Sequence, residues 1–390
     1  MRPARISDGL GRAWMAVVVA MFSFCGACAA QTNFTFDKVG RLLETQPVMP
    51  KPGPYFTCLV DMRAVQGFPH DYALYFSTDH HNDDGGIWLY VCSGSPTEPG
   101  NWKSYDQAVA DGDFDHLPQK PAANPIYIDR VQGRQTETPH VNIIDGVAYM
   151  TYHNAGAGHN QSTMLATSAD GVNFARIYGN KDSVILDYDP AAAPGDGHTG
   201  YFRWARNPFP GVDYKYVGYS LHGGADNYYT AMWASNDVIH WDKQAVFTPI
   251  EGQATEKNRI LIWSQIDPNS ITPLGDGEFV AIAAGGSRSS GGSARVTELF
   301  EIFIAADGKT FTRRSRKMLA NGPAGADDHE ELAQPTTLRI GDQWHLIYVG
   351  ATNRARVNTI LGARGRFNRQ AAPAQKLSPE QGRRHINSQK

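Results

Sequence analysis

The chain has 390 residues, of which 41% are hydrophobic, 11% aromatic and 19% charged, and its formal net charge at pH 7 is −3. These fractions are typical of a folded globular protein and exclude a disordered chain. The slightly negative charge argues against a generally basic nucleic-acid binder, so we expect no nucleic-acid partner. No apolar run reaches the ~18 residues of a membrane-spanning helix, and no membrane span is predicted.

The first thirty residues have the pattern of an export signal. Three arginines precede an apolar stretch at 14–24, and the small residues of Ala27-Cys28-Ala29 follow. A charged start, a short apolar core and a small-residue cleavage site predict a signal peptide over residues 1–30. The mature protein would then be periplasmic or secreted. A lipid anchor on Cys28 is an alternative, although Cys25 stands three positions earlier, where lipoproteins usually have leucine.

A short turn that ends in an aromatic residue recurs along the rest of the chain. Ser168–Phe174 reads Ser-Ala-Asp-Gly-Val-Asn-Phe, similar turns end at Trp241 and Phe311, and a looser copy ends at Trp102. The closing aromatics are spaced by roughly 70 residues. A nearly constant period of this kind is the signature of a repeat architecture.

Each repeat unit has the same predicted order of strands. An apolar strand and an Asp-Gly turn, as in Val141–Gly146, precede an aromatic-rich strand such as Ala148–Tyr152, and a third strand such as Thr163–Ser168 leads to the recurring turn. Alternating aromatic and β-branched residues bounded by Gly, Asp and Asn predict strands joined by hairpins.

The sequence therefore predicts an all-β protein, a five-bladed β-propeller in which each blade is a four-stranded antiparallel sheet. A pair of β-sandwiches is the alternative, which the constant period disfavours. The units run at roughly 54–120, 136–180, 198–245, 264–318 and 330–367. The propeller would form one catalytic domain over 54–367, after a polar leader at 31–53. Residues 368–390 are rich in Gln, Arg, Pro and Lys and are predicted to be disordered.

In layout, these five units resemble the five-bladed propellers of glycoside hydrolase family 43 and its relatives, families 32, 62, 117 and 130. Those enzymes carry Asp-Pro, Ala-Pro-Asp and Glu-Gly-Pro motifs at the first strands of their first three blades. The three acidic residues act as general base, pKa-modulating group and general acid. The resemblance implies inverting, single-displacement hydrolysis of a poly- or oligosaccharide, without a required cofactor.

The resemblance places four catalytic candidates at the mouth of the central funnel. In blade one the family spacing reaches Asp61, the expected general base, although Met62 replaces the family's proline. In blade two, His140 occupies the modulating position and would orient or tune Asp61, while Glu137 is the nearest carboxylate. In blade three, His198 replaces the acidic residue and is the expected proton donor, with Glu137 as second choice. Glu137 has an alternative, a salt bridge with one of the nearby arginines, Arg130 or Arg134.

Polar and aromatic residues near the strand starts are the candidates for sugar binding. These are His153, Asn154, Arg203, Trp204, His222, Trp263 and Gln265. Arg203 and Trp204 could equally be blade-packing residues. No metal site is assigned, although Asp267, Glu330 or the acidic loop at 79–86 could hold a structural Ca²⁺ in or near the channel.

Two other functions stay open at this point. One is a non-catalytic propeller that binds glycans or another protein. The other is a glycoside phosphorylase similar to family 130, for which Arg203, Arg206 and Arg288 are candidate phosphate contacts. The sequence leaves the sugar, the linkage and the oligomeric state open.

Cys58 and Cys92 are predicted to be unpaired. They fall on the first and third strands of the first blade, which would be about 9.6 Å apart, whereas a disulfide needs Cα atoms within about 7 Å. Cys25 and Cys28 would leave with the signal peptide or its lipid anchor. We therefore expect two buried free thiols in the mature protein.

Overall fold

The computed structural model describes residues 32–43, 53–78, 85–130, 135–155, 161–177, 183–187, 199–224, 227–247, 259–289, 295–351, 358–371 and 376. Strands dominate these ranges, and the one helix in them, α1 (Tyr105–Ala110), has six residues. No helix in the described ranges is long and apolar enough to cross a membrane. The predicted signal peptide and its cleavage site lie outside these ranges.

The first strand, β1, covers Phe34–Arg41 and pairs with the last strand of the chain. A four-stranded antiparallel sheet follows, in the order β2-β3-β4-β5. Its strands are Tyr55–Asp61, Tyr72–Ser77, Ile87–Cys92 and Trp102–Ser104.

The second sheet has five strands rather than the predicted four. Its central order is β10-β8-β7-β6, and the short strand β9 also pairs with β8. The strands are β6 (Gln135–Ile144), β7 (Val147–Ala155), β8 (Gln161–Ser168), β9 (Ala175–Arg176) and β10 (Val184–Leu186). The outermost position beside β8 is therefore divided between two short strands, β9 and β10.

The third sheet is four-stranded, antiparallel and in chain order. Its strands are β11 (Arg203–Arg206), β12 (Tyr216–Gly224), β13 (Asn227–Ser235) and β14 (Asp242–Phe247).

The remaining strands form one eight-stranded sheet, where two separate blades were predicted. They are β15 (Arg259–Gly275), β16 (Glu278–Ser289), β17 (Arg295–Ala305), β18 (Phe311–Leu319), β19 (Glu331–Ile340), β20 (Gln343–Ala351) and β21 (Asn358–Phe367), together with β1. Two antiparallel groups of four, β15–β18 and β19–β21 with β1, are joined by a single parallel pair, Thr297 with Glu331. The merger therefore depends on one pair of residues.

The first strand of each group is called an inner strand here, namely β2, β6, β11, β15 and β19. Neighbouring inner strands pack against each other in the cyclic order β2, β6, β11, β15, β19 and back to β2. Apolar side chains fill the spaces between groups. Tyr75, Met150 and Met164 belong to one such cluster, and Leu59 and Ile347 belong to another.

The recurring turn has the same hydrogen bonds wherever it appears clearly. The Asp170 carboxylate accepts hydrogen bonds from the backbone N–H groups of Val172 and Asn173, both at 2.8 Å. Asp237 and Asp307 make the same pair of bonds two and three residues on. This Asx-type bonding explains why an aspartate recurs in these three copies.

Four inner strands have a non-glycine residue in the left-handed region near their beginning or, for β11, two residues before it. These residues are Phe56, Thr138, Tyr201 and Gln334, with φ between 54° and 55°. A left-handed conformation costs an L-residue roughly 1–2 kcal/mol. In β2, β6 and β19 the ladder register shifts at the same place. We call the end of the ring with these residues the upper face and the opposite end the lower face.

The two cysteines in the described ranges, Cys58 and Cys92, are buried and unpaired, which confirms the prediction for this pair. They lie on β2 and β4, with β3 between them. Burial raises the pKa of each thiol to about 12. Cys25 and Cys28 lie outside the described ranges.

Candidate active site

A buried acid–imidazole pair lies at the upper face of the second sheet. Glu137 on β6 stands opposite His153 on β7, and Nδ1 of His153 is 2.9 Å from Oε1 of Glu137. Both side chains are 1% exposed. Burying a carboxylate is costly unless a partner compensates, and an imidazole at this distance can do so. Glu137 and His153 were predicted as separate candidates, one catalytic and one sugar-binding, and the structure brings them together.

Aromatic rings continue from this pair across the ring of inner strands. Tyr201 meets the His153 ring edge-on, with centroids 5.8 Å apart, and stacks on Phe56 at 4.6 Å. Tyr55 adjoins Phe56 at 5.7 Å. Phe56 is buried, whereas Tyr55 and Tyr201 are partly exposed. We call Tyr55, Phe56 and Tyr201 the aromatic wall.

Two glutamine side chains connect three inner strands beside this wall. The Phe56 N–H donates a hydrogen bond to Oε1 of Gln334 at 2.5 Å, and the Gln334 N–H donates to Oε1 of Gln265 at 2.7 Å. Thr57 Oγ1 donates to the Gln334 carbonyl at 3.0 Å. Gln265, which was predicted to contact the substrate, is partly exposed. It is connected to Phe56 of the aromatic wall through Gln334.

Asn154 is buried at the same end of β7, on the side opposite to His153 because neighbouring strand residues alternate. Neither polar atom of its amide has a hydrogen-bond partner in the described part of the chain. A buried amide of this kind can bind a water molecule or a ligand hydroxyl.

Asp61 lies at the lower face, so its expected position at the funnel is wrong. Glu137 and Thr138 are near the start of β6, and the Thr138 N–H donates to Oγ of Ser77 at 3.3 Å. Ser77 pairs with Tyr55, the first residue of β2. Asp61 is the last residue of this seven-residue strand, roughly 20 Å away at ~3.3 Å per residue.

The surroundings of Asp61 also differ from those expected for a general base. Its carboxylate forms an ion pair with Arg63, with Nη2 at 2.5 Å from Oδ2, and the Asp61 side chain is 34% exposed. Hydrogen bonds from Arg63 hold the pKa of Asp61 below its ordinary value. Such a carboxylate is a weak proton acceptor near neutral pH.

The sequence suggested that His140 orients Asp61. Instead, His140 is buried between the inner strands β6, β11 and β2. Its Nε2 lies 2.7 Å from the Trp204 carbonyl, which can only accept, so Nε2 carries the proton. Its Nδ1 lies 3.7 Å from Sγ of Cys58. Burial and the nearby Arg203 charge lower the pKa of His140 to about 3, and the ring is therefore neutral at physiological pH.

Arg203 and Trp204 are interior residues rather than exposed sugar contacts. Trp204 is 1% exposed and packs edge-on against Tyr216 and Trp241. This is the blade-packing role that the sequence left open. Arg203 is 5% exposed and donates hydrogen bonds to backbone carbonyls of β2 and β19.

The structure does not describe the side chains of the other three candidates, His198, His222 and Trp263. His198 lies in the segment 188–198, whose structure is not described. His222 is on β12 and Trp263 on β15, but their side chains are not among those described. Of the two expected salt-bridge partners of Glu137, Arg130 is exposed and Arg134 is outside the described ranges.

The residues at the centre of the ring do not fit the Ca²⁺ ion that the sequence left as an alternative. Calcium needs several oxygen ligands. At the centre of the inner strands, the carbonyl oxygens of Thr57 and Pro335 already accept hydrogen bonds from the Arg203 cation. Among the described residues, no group of three or more His, Cys, Asp or Glu side chains could hold a metal ion. Most of the acidic loop, residues 79–84, lies outside them.

Tyr55, Phe56, Tyr201 and Gln334 were not predicted as site residues. One signal could have marked the last three. Thr138 and Gln334 are each followed by proline, and aligning these two Xaa-Pro pairs across the inner strands points to Phe56 and Tyr201 as the equivalent residues.

No protein-family model and no curated protein matches the chain in sequence. Solved structures do match it. An N-acetylgalactosamine deacetylase from F. plautii, solved with blood group B trisaccharide, is 12% identical with a TM-score of 0.56, covering 86% of this chain and 96% of its own. An exo-1,5-α-L-arabinanase from a bovine ruminal metagenomic library is 10% identical with a TM-score of 0.51, covering 84% and 97%.

A third structure, described as a glycoside hydrolase, is 11% identical with a TM-score of 0.52 and covers 87% of this chain and 93% of its own. At such low identity the likeness shows the fold. The expected resemblance to β-propeller glycoside hydrolases is therefore confirmed at the level of the fold.

Proposed function

We propose that the protein is an exported glycoside hydrolase whose active site lies at the upper face, around Glu137 and His153. One observation carries the proposal, namely the buried acid–imidazole pair beside the partly exposed Tyr201. A proton-transferring group next to an aromatic surface suits an enzyme that must hold a sugar ring and move a proton. Export is inferred from the signal pattern of residues 1–30.

We infer that the fold is a five-bladed propeller. Five groups of antiparallel strands and the cyclic packing of their inner strands support this count. In this interpretation the eight-stranded sheet comprises the fourth and fifth blades, and β1 completes the fifth. The catalytic domain would then extend over 54–367 and include β1 from the leader.

The similar structures support a glycan as the substrate. Three with TM-scores above 0.5 are named as an N-acetylgalactosamine deacetylase, an arabinanase and a glycoside hydrolase. Their shared fold places no constraint on which sugar or linkage this chain recognises.

We assign the role of general base to Glu137, held in place by His153. In a single displacement one group takes a proton from water while a second gives a proton to the leaving oxygen, and the two are roughly 6.5–9.5 Å apart. His198 remains our candidate for the second group. In sequence, His198 is five residues before β11, the inner strand next to β6. Tyr201, which lies between His198 and β11, contacts His153.

The test compares Glu137→Gln with Asp61→Asn in a product-release screen on arabinans, xylans and algal galactans. Loss of a general base typically costs 10²–10⁴-fold. We expect Glu137→Gln to lower kcat at least 100-fold and Asp61→Asn to stay within about threefold of wild type. Thermal melting of both variants controls for unfolding.

Three results would overturn the assignment. Glu137→Gln activity above a tenth of wild type would place the base elsewhere. Glycan binding without product release by the wild type would indicate a binding protein. Turnover that requires inorganic phosphate would indicate a phosphorylase.

A further inference from the structure

The side chain of Arg203 joins three inner strands at the centre of the ring. Arg203 is the first residue of β11 and is 5% exposed. Its Nη1 donates a hydrogen bond to the Pro335 carbonyl of β19, and its Nη2 donates to the Thr57 carbonyl of β2 at 3.4 Å. A planar guanidinium presents its donors in a fixed fork, so one side chain fixes the distance between these two strands.

A fourth inner strand supplies the compensating charge. Asp267 on β15 is fully buried and interacts electrostatically with Arg203. Its Oδ2 accepts a hydrogen bond from Oγ1 of Thr337 on β19 at 2.6 Å. Arg203 is thus placed where β2, β11, β15 and β19 converge.

The two carbonyls that Arg203 binds are not arbitrary positions on their strands. Thr57 directly follows Phe56, and Pro335 directly follows Gln334, both of which are left-handed. Arg203 itself is two residues beyond the left-handed Tyr201. Residues in such conformations persist only where the surroundings hold them.

We propose that Arg203 is a positioning residue that holds the aromatic wall of the proposed active site in place. The inference rests on the proposed function for its catalytic consequence. By holding the Thr57 and Pro335 carbonyls, one residue beyond Phe56 and Gln334, the guanidinium sets the stacking of Phe56 on Tyr201. Tyr201 in turn packs against His153, the partner of Glu137. The Arg203 cation thereby lies among the inner strands beneath the aromatic wall.

The experiment uses Arg203→Ala, Arg203→Lys and chemical rescue with methylguanidinium. We expect Arg203→Ala to raise KM at least tenfold with a smaller change in kcat, because the wall binds substrate and does not transfer protons. Millimolar methylguanidinium should restore most of the loss. Arg203→Lys should remain defective because an ammonium group lacks the planar fork.

Hydrogen exchange gives a second measurement that does not depend on activity. The Phe56 N–H donates a hydrogen bond to the Gln334 side chain. If either Arg203 variant loosens this hydrogen bond, the Phe56 amide should exchange at least tenfold faster. The Leu338 amide, at the other end of β19, should change little. Arg316→Ala is the matched control, since Arg316 is a largely buried arginine paired with Glu301 at the outer strand β18. It should lower the melting temperature without changing KM or Phe56 exchange.

Unchanged Phe56 exchange in Arg203→Lys, or an equal change in Arg316→Ala, would overturn the inference. So would rescue of the melting temperature by methylguanidinium without rescue of KM. If the wild type released no sugar from any glycan, the proposed function would fail, and the exchange measurement would still decide the role of Arg203. If Arg203→Ala did not fold, Arg203→Lys would carry the test.

Discussion

At the scale of single residues, the ion pair of Asp61 with Arg63 makes a prediction about pH. The pKa of Asp61 is lowered by hydrogen bonds from the Arg63 guanidinium and backbone N–H. A carboxyl whose pKa is depressed by folding adds stability above its unfolded pKa of about 3.9, and this stability is lost as the pH falls through the folded pKa.

We therefore expect Asp61→Asn to destabilise the protein slightly at pH 7 and less at pH 3. The effect should be below about 1 kcal/mol because the pair is exposed to solvent. Urea unfolding of wild type and variant across this range measures it. A difference that grows as the pH falls would contradict the ion-pair interpretation.

The sequence could identify some site residues by their chemistry and position, but it could not identify those that depend on contacts between distant strands. Glu137 was selected as the carboxylate nearest the family's modulating position, and His153 as a polar residue near a strand start. The family spacing misplaced Asp61, which pairs with Tyr72 at the lower end of β2 and not at its start. Tyr201 and Phe56 were missed because stacking between distant strands depends on backbone angles that no local pattern records.

At the scale of strands, the buried Asp267 links β15 to β19 through Thr337. Desolvation raises the pKa of Asp267 to about 6, although the Thr337 hydroxyl and Arg203 oppose the shift. A carboxyl whose pKa is raised by folding favours the folded state below its unfolded pKa of about 3.9. That contribution is lost as the pH rises through about 6.

Asp267→Asn should remove this dependence, because the amide resembles the protonated acid. Relative to wild type, we expect the unfolding free energy of the variant to rise between pH 4 and pH 7 by on the order of 1–3 kcal/mol. Asp61→Asn is the control, because folding lowers the pKa of Asp61 and the stability difference of this variant should change mainly below pH 4. A flat difference between Asp267→Asn and wild type would show that Asp267 ionises as freely in the folded protein as in the unfolded one.

Most strands were predictable because their signals are local. Alternating residues and the Asx turns at Asp170, Asp237 and Asp307 mark the hairpins directly in the sequence. The strand β1 was not predicted, since only Phe34 and Phe36 alternate inward and their partner strand is over 300 residues away. The joining of β17 to β19 was equally invisible because it depends on one pair, Thr297 with Glu331.

At the scale of the whole molecule, β1 connects the beginning of the chain to its last blade. Phe34 pairs with Phe367, and its ring lies 5.0 Å from the rings of both Trp344 and Phe367. The Phe34 N–H also donates a hydrogen bond to the buried Glu301 on β17 at 2.5 Å. Phe34 thus connects the group β19–β21 with β1 to the group β15–β18.

This arrangement predicts that Phe34→Ala will weaken the entire fold rather than one edge of it. Truncating a buried phenylalanine typically costs about 3–5 kcal/mol. We expect a loss of that size in urea unfolding, and the loss should be the same whether unfolding is followed by tryptophan fluorescence or by far-ultraviolet circular dichroism. Thr35→Ala on the exposed side of the same strand should change stability by less than about 0.5 kcal/mol. If Phe34→Ala instead produced a separate early transition in one signal, β1 would be a detachable edge strand, and the cyclic packing of the inner strands would stand without it.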